Sequence, residues 1–188
     1  LRIETSSKEL FQKIHPSDQS FEKRYHCMKI LNETGWQTGT GVMIGIPGQS
    51  LRQLADDILF MQKECIGMIG MGPYLLHPET PMYSNKEWRL TKKNEIASLA
   101  LNMISAVRIV LKDVNIASTT ALETILPRGR YLGLDIGANV YMPLMTPENK
   151  RTNYKIYEGK PIKDTGLVCP PDRQIGFNKW GDANFFLP

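Results

Sequence analysis

The stretch GVMIGIPGQS, residues 41–50, decides how this chain is read. Val42, Met43 and Ile44 make a short apolar strand, and Gly45-Ile46-Pro47-Gly48 turns the chain at its end. Ser50 and Gln53 have capping-box spacing, so a helix starts at once. A glycine-studded strand end opening into a helix suggests a phosphate loop. This one has neither the lysine nor the Walker spacing. What remains is one strand–turn–helix unit, and the fold depends on how many such units flank it.

Upstream, residues 1–5 alternate apolar and polar like a strand, with Arg2 and Glu4 on one face. Ser6 is placed to cap a short helix running to Ile14, which His15-Pro16 ends. Ser20 caps a second helix with Tyr25, Met28 and Leu31 as its apolar stripe, and Gly35 ends it. The strand of the quoted stretch takes in residues 37–46. Downstream, Leu51, Leu54, Ile58 and Met61 form the buried face of the next helix. Residues 68–73 read as a third strand, leading into the proline-broken loop YLLHPETPMY. Residues 91–112 read as a long helix with Ile96, Leu99, Met103, Val107 and Val110 on one side. Strands four and five are residues 115–119 and 139–142. After Thr146 the chain becomes polar and punctuated by proline and glycine, a tail lying over the surface.

Strand and helix therefore alternate five times, which gives an α/β fold with a parallel sheet and helices outside. Five βα units make an open doubly wound sheet or the later part of a (β/α)8 TIM-type barrel. In both, ligands bind at the carboxyl ends of the strands.

Composition narrows the setting. The 188 residues are 41% hydrophobic, enough for one core. No apolar run approaches a membrane span, and no secretory signal is expected. The net charge of +4 comes from scattered Lys and Arg, which argues against a nucleic-acid partner. Three cysteines, Cys27, Cys65 and Cys169, lack metal-ligand spacing, and an odd count argues against a disulfide framework. A cytoplasmic setting is expected, with Cys27 and Cys65 in the core. The chain opens on Leu1 already in a strand and is read as a piece of something longer.

At the strand ends, Arg2 and Glu4 are either an inward-facing pair that needs partners or charges on a solvated edge. Arg24, near a helix start where the dipole disfavours it, is either an exposed surface residue or a fork for a carboxylate. Thr119 and Thr120 offer two hydroxyls to a small anion, or are ordinary strand filling. His77 reads as a turn residue before proline. Met142 and Tyr157 either line a cavity or pack.

Taken in order, LRIETSSKELFQKIHP, SFEKRYHCMKILNETGWQTGTGVMIGIPGQS, MIGMGPYLLHPETPM, NIASTTALETILPRGR and GANVYMPLMTPENKR resemble the later part of a radical S-adenosylmethionine enzyme. The nearest likeness is to the HydE-type maturases of [FeFe]-hydrogenase, relatives of biotin synthase and methylornithine synthase. The resemblance implies a partial barrel, strands 4 to 8, over residues 1–146. Residues 147–188 would be a C-terminal extension packing on it.

The family's CxxxCxxC, which holds a [4Fe–4S] cluster, is not in this sequence. The resemblance therefore places the cluster ligands, and the other half of the barrel, upstream; no metal ligand is expected here. It implies that Glu4 and Arg24 contact S-adenosylmethionine, the carboxylate at its ribose or amino group and the guanidinium at its carboxylate. Ile44 and Ile46 would pack on its adenine, with Gly45 leaving room. Arg2, Thr119, Thr120 and Met142 would line the substrate or anion cavity, with Tyr157 near the reacting centre. The implied reaction cleaves S-adenosylmethionine reductively to a 5′-deoxyadenosyl radical during assembly of the hydrogenase active-site cluster. The substrate would be a small iron-containing, cysteine-bound precursor, and the partners other hydrogenase maturases, with no membrane and no nucleic acid. Two other readings stand beside this one: a biotin synthase-like or methylornithine synthase-like enzyme, and a non-catalytic half-barrel module.

Overall fold

The computed structural model describes residues 1–84, 93–142, 146–151 and 153. Four strands, β1 (Gly39–Ile44), β2 (Met68–Pro73), β3 (Asn115–Ser118) and β4 (Val140–Tyr141), form one parallel sheet in the order β1-β2-β3-β4. The helices are α1 (Lys8–Ile14), α2 (Phe21–Glu33), α3 (Leu51–Lys63), α4 (Lys93–Val110), α5 (Thr120–Ile125), α6 (Gly129–Ile136) and α7 (Glu148–Arg151). Each strand lies beside its predecessor, with no reversal of order. A doubly wound sheet reverses at a switch point and a barrel does not, so the sheet is an arc of the barrel type.

The parallel register sorts side chains onto two faces. Val42, Ile44, Ile69, Met71 and Ile116 lie on one, each at most 1% exposed. They share a core with Leu54, Ile58 and Met61 of α3 and Met103, Ile104 and Val107 of α4. Burying one such side chain contributes about 1.5–3 kcal/mol, so this face carries the stability of the fold. The opposite face carries Gly41, Gly70 and Ala117 side by side in register, with Gly72 two residues further along β2. Side chains this small bury almost no apolar area. That face is built for something other than packing.

The first expected strand is reduced to one parallel bridge, Glu4 to Val42. The Glu4 N–H donates to Gly41 O and the Met43 N–H to Glu4 O, both at 2.9 Å. The ladder stops there because Glu4 has φ +67°, a left-handed conformation that breaks an extended run. Ser7, not Ser6, caps α1, since the Ser6 hydroxyl is bonded to Asp57. Ser20 caps α2, and Ser50 with Gln53 forms the full capping box of α3.

Two helix stripes are shorter than expected. Leu51, in the first turn of α3, is 73% exposed, and Val110, the last residue of α4, is 40% exposed. Cys27 and Cys65 are exposed, not in the core. Cys27 sits one residue off the stripe that buries Met28, and Cys65 occupies a left-handed turn just past the end of α3. Among the described residues no helix is long and apolar enough to cross a membrane.

Candidate functional site

The glycine face is occupied at one end by Arg2. Its Nε and Nη2 fork onto the two carboxylate oxygens of Glu4, at 3.0 and 3.2 Å. Nη2 also donates to Val42 O at 3.1 Å, and Nη1 to Gly70 O at 3.0 Å. One guanidinium thus spans the N-terminal segment, β1 and β2. It fits because there is no side chain beneath it. A Cβ on Gly41 would stand 2.7 Å from Nη1, and one on Gly70 would stand 3.0 Å from it. Arg2 and Glu4 therefore do share a face, and they meet as an ion pair that stays partly open to solvent, the Arg2 side chain being 43% exposed. Exposed pairs contribute about 0–1 kcal/mol, while a glycine inside a strand costs about 0.5–1 kcal/mol. Gly41 also serves the sheet itself, because a Cβ there would stand 2.2 Å from the Gly70 carbonyl oxygen.

Arg24 enters from the first turn of α2. Its Nη1 donates to Arg2 O at 3.1 Å, and its guanidinium carbon lies 5.2 Å from the centre of the Phe11 ring. Arg2, Glu4 and Arg24 are thus brought together. The next polar atom over β2 is Thr119 Oγ1, which a Cβ on Gly72 would approach to 2.7 Å. Gly70 and Gly72 are one pleat apart, so the Arg2 and Thr119 positions are separated by about 6.6 Å of strand rise. Thr119 Oγ1 is buried and has no hydrogen-bond partner among the described residues. Thr119 is the N-cap residue of α5, but its side chain does not cap the helix. An unsatisfied buried hydroxyl costs about 1–3 kcal/mol, so a ligand that binds it is favoured here.

The remaining expected positions are more dispersed. Thr120 is half-buried in the first turn of α5, and its carbonyl accepts the Thr124 hydroxyl. Met142 follows β4 at the far end of the sheet order and is 49% exposed. Ile44 and Ile46 are both buried, Ile44 within the core shared with the helices. Gly45 has φ +80°, and a Cβ there would meet Ile96 of α4 at 3.2 Å, so its missing side chain makes room for a helix. Tyr157 lies outside the described residues. His77 accepts the Glu79 N–H at 3.2 Å, a turn contact.

Two residues were missed. Gln49 closes the loop after β1 on itself. Its Oε1 accepts the N–H groups of Gly45 and Ile46, and its Nε2 donates to Met43 O. Asp57 is fully buried on α3, where its Oδ1 accepts both the N–H and the hydroxyl of Ser6 at 2.6 Å. Burial pushes its pKa up to about 6, against the opposing effect of the Ser6 hydrogen bonds. A carboxylate at position 57, inside the stripe of 54, 58 and 61, was the available signal.

Glu4, Arg24 and Thr119 offer a carboxylate acceptor, a guanidinium and a hydroxyl, the group types that a polar co-substrate such as S-adenosylmethionine requires. They do not fit an iron–sulfur cluster. Among the described residues no three His, Cys, Asp or Glu side chains converge, and the two cysteines are exposed on separate elements.

The arc of parallel strands with helices outside is an α/β architecture shared with methylornithine synthase (PylB). The TM-score is 0.65 over 89% of this chain and 45% of that one, and at 23% identity the likeness shows the fold. In sequence, the chain is 44% identical over 171 residues to the [FeFe] hydrogenase maturase subunit HydE of Thermotoga maritima. The alignment covers 89% of this chain and 47% of the maturase, so the chain spans about half the length of the curated relative it matches. The resemblance to HydE-type maturases is therefore borne out over the matched residues. No protein-family model matches it.

Proposed function

We propose that this chain forms the distal part of the S-adenosylmethionine and substrate sites of a radical enzyme in [FeFe]-hydrogenase maturation. The observation that carries the reading is the glycine-floored face that holds the Arg2–Glu4 pair, with Arg24 bonded to the Arg2 carbonyl beside it. The 44% identity to a HydE maturase supports it. When bound, S-adenosylmethionine would supply a 5′-deoxyadenosyl radical on reductive cleavage. This chain's own residues bind and orient. Glu4 accepts from the ribose hydroxyls or the ammonium, and Arg24 forks onto the carboxylate. Ile46, just past the end of β1, backs the adenine, whereas Ile44 is committed to the helix-side core on the other face of the sheet, and Thr119, Thr120 and Met142 border the cavity of a small iron-containing, cysteine-bound precursor. Tyr157 is assigned to the reacting centre by resemblance alone. Cluster ligands would come from outside the described residues. Other maturases would be the partners, in a reducing cytoplasm that keeps the exposed Cys27 and Cys65 as thiols.

The test is anaerobic reconstitution of the full-length protein with iron and sulfide, followed by reduction with S-adenosylmethionine present. Formation of 5′-deoxyadenosine, accelerated by the iron-containing precursor, supports the proposal. Acceleration by a methylornithine synthase or biotin synthase substrate instead would favour that sister activity, which the likeness to PylB keeps in view.

A further inference from the structure

We infer that Arg2 is a positioning residue, which fixes the Glu4 carboxylate on the glycine face, rather than an independent anion-binding contact. The inference rests on the proposed role of Glu4 toward S-adenosylmethionine. Arginine has five N–H donors. The Nε donor and one Nη2 donor go to the Glu4 carboxylate, with further donation from Nη2 to Val42 O and from Nη1 to Gly70 O. Little is left to bind an anion. The guanidinium is instead seated where Gly41 and Gly70 leave a slot; a Cβ on Gly41 would meet Nη1 at 2.7 Å and the Gly70 carbonyl oxygen at 2.2 Å.

The second, independent observation is the backbone of Glu4. A non-glycine residue at φ +67° persists only when its surroundings over-determine it. Three contacts do so: the Arg2 fork on the side chain, the Glu4 N–H on Gly41 O, and the Met43 N–H on Glu4 O. The left-handed turn lets Glu4 pair with β1 through its backbone while its carboxylate meets the Arg2 fork. Arg2 reaches across β1 to β2, so it ties the carboxylate to the sheet through two strands. Lysine could not substitute, because a single ammonium cannot fork onto a carboxylate and also reach two carbonyls on neighbouring strands.

The test uses full-length, cluster-reconstituted protein carrying Arg2→Ala, Glu4→Gln or both. S-adenosylmethionine affinity is read by equilibrium dialysis. Arg2→Ala is expected to weaken binding about tenfold, with the double variant no weaker than Glu4→Gln. Millimolar guanidinium should restore part of the loss in Arg2→Ala. Losses that multiply in the double variant would overturn the inference. Amide hydrogen exchange at Glu4 and Met43, without ligand, reads positioning directly. About tenfold faster exchange is expected in Arg2→Ala. Unchanged exchange overturns the positioning role whatever the affinities show, whereas unchanged affinity in Glu4→Gln overturns only the ligand role of Glu4. If Arg2→Ala does not fold, Arg2→Lys keeps the charge, loses the fork and is expected to move both readouts in the same direction.

Discussion

The side-chain oxygen of Gln49 accepts the backbone N–H of Gly45 at 2.7 Å. It also takes the N–H of Ile46 at 3.2 Å, so the two donors that a phosphate would use are satisfied within the loop. The stretch GVMIGIPGQS is a phosphate loop in outline only, because it binds its own glutamine. Gln49→Ala should leave these donors and Met43 O unpaired and destabilise the protein by about 1–3 kcal/mol. Gln49→Glu keeps the acceptor and loses the donation to Met43 O, so it should cost less. Urea denaturation of the two variants checks the order.

Asp57 gives a signed pH dependence. Its folded pKa of about 6 lies above the ordinary 3.8, so the folded state holds the proton more tightly. Its contribution to stability is fully present below about pH 3.8 and is lost as pH rises through about 6. The difference corresponds to about 3 kcal/mol. Asp57→Asn keeps an acceptor for Ser6 and removes the titration. The expected outcome, read by denaturation from pH 4 to pH 8, is a stability that falls with pH in the parent and not in the variant.

Thr119 should separate stability from function. Its hydroxyl is buried without a partner among the described residues, so Thr119→Val should leave stability unchanged or raise it by up to about 1 kcal/mol. Substrate-stimulated formation of 5′-deoxyadenosine should fall in the same variant. A loss of stability in thermal unfolding, with activity intact, would mean that the hydroxyl serves the fold.

Much of the fold was legible in the sequence because it follows from periodicity and capping. Residues 68–73 are a strand as read, Ser50 and Gln53 cap α3, and the βα alternation does produce a parallel sheet. Features set by long-range contacts were not legible. Nothing local announces that Glu4 is left-handed, because glutamate rarely is; only the Arg2 fork and β1 hold it there. The glycines were the harder case. Gly45 reads as room for a ligand but makes room for Ile96. Gly41 and Gly70, 29 residues apart in sequence, together make the slot for Arg2. A glycine's purpose is set by what lies across from it, which pairing register alone decides.

If this chain supplies half of an S-adenosylmethionine site, Arg24 should hold the carboxylate of that ligand. Among the described residues the Arg24 side chain bonds the Arg2 carbonyl and the Gln19 side chain and lies over the Phe11 ring, so its removal should spare the fold. The measurement is the S-adenosylmethionine dissociation constant of full-length, cluster-reconstituted protein with and without Arg24→Ala, with folding checked by circular dichroism. The account predicts that affinity falls about tenfold or more on loss of the carboxylate fork. An unchanged dissociation constant in a folded Arg24→Ala protein would contradict it.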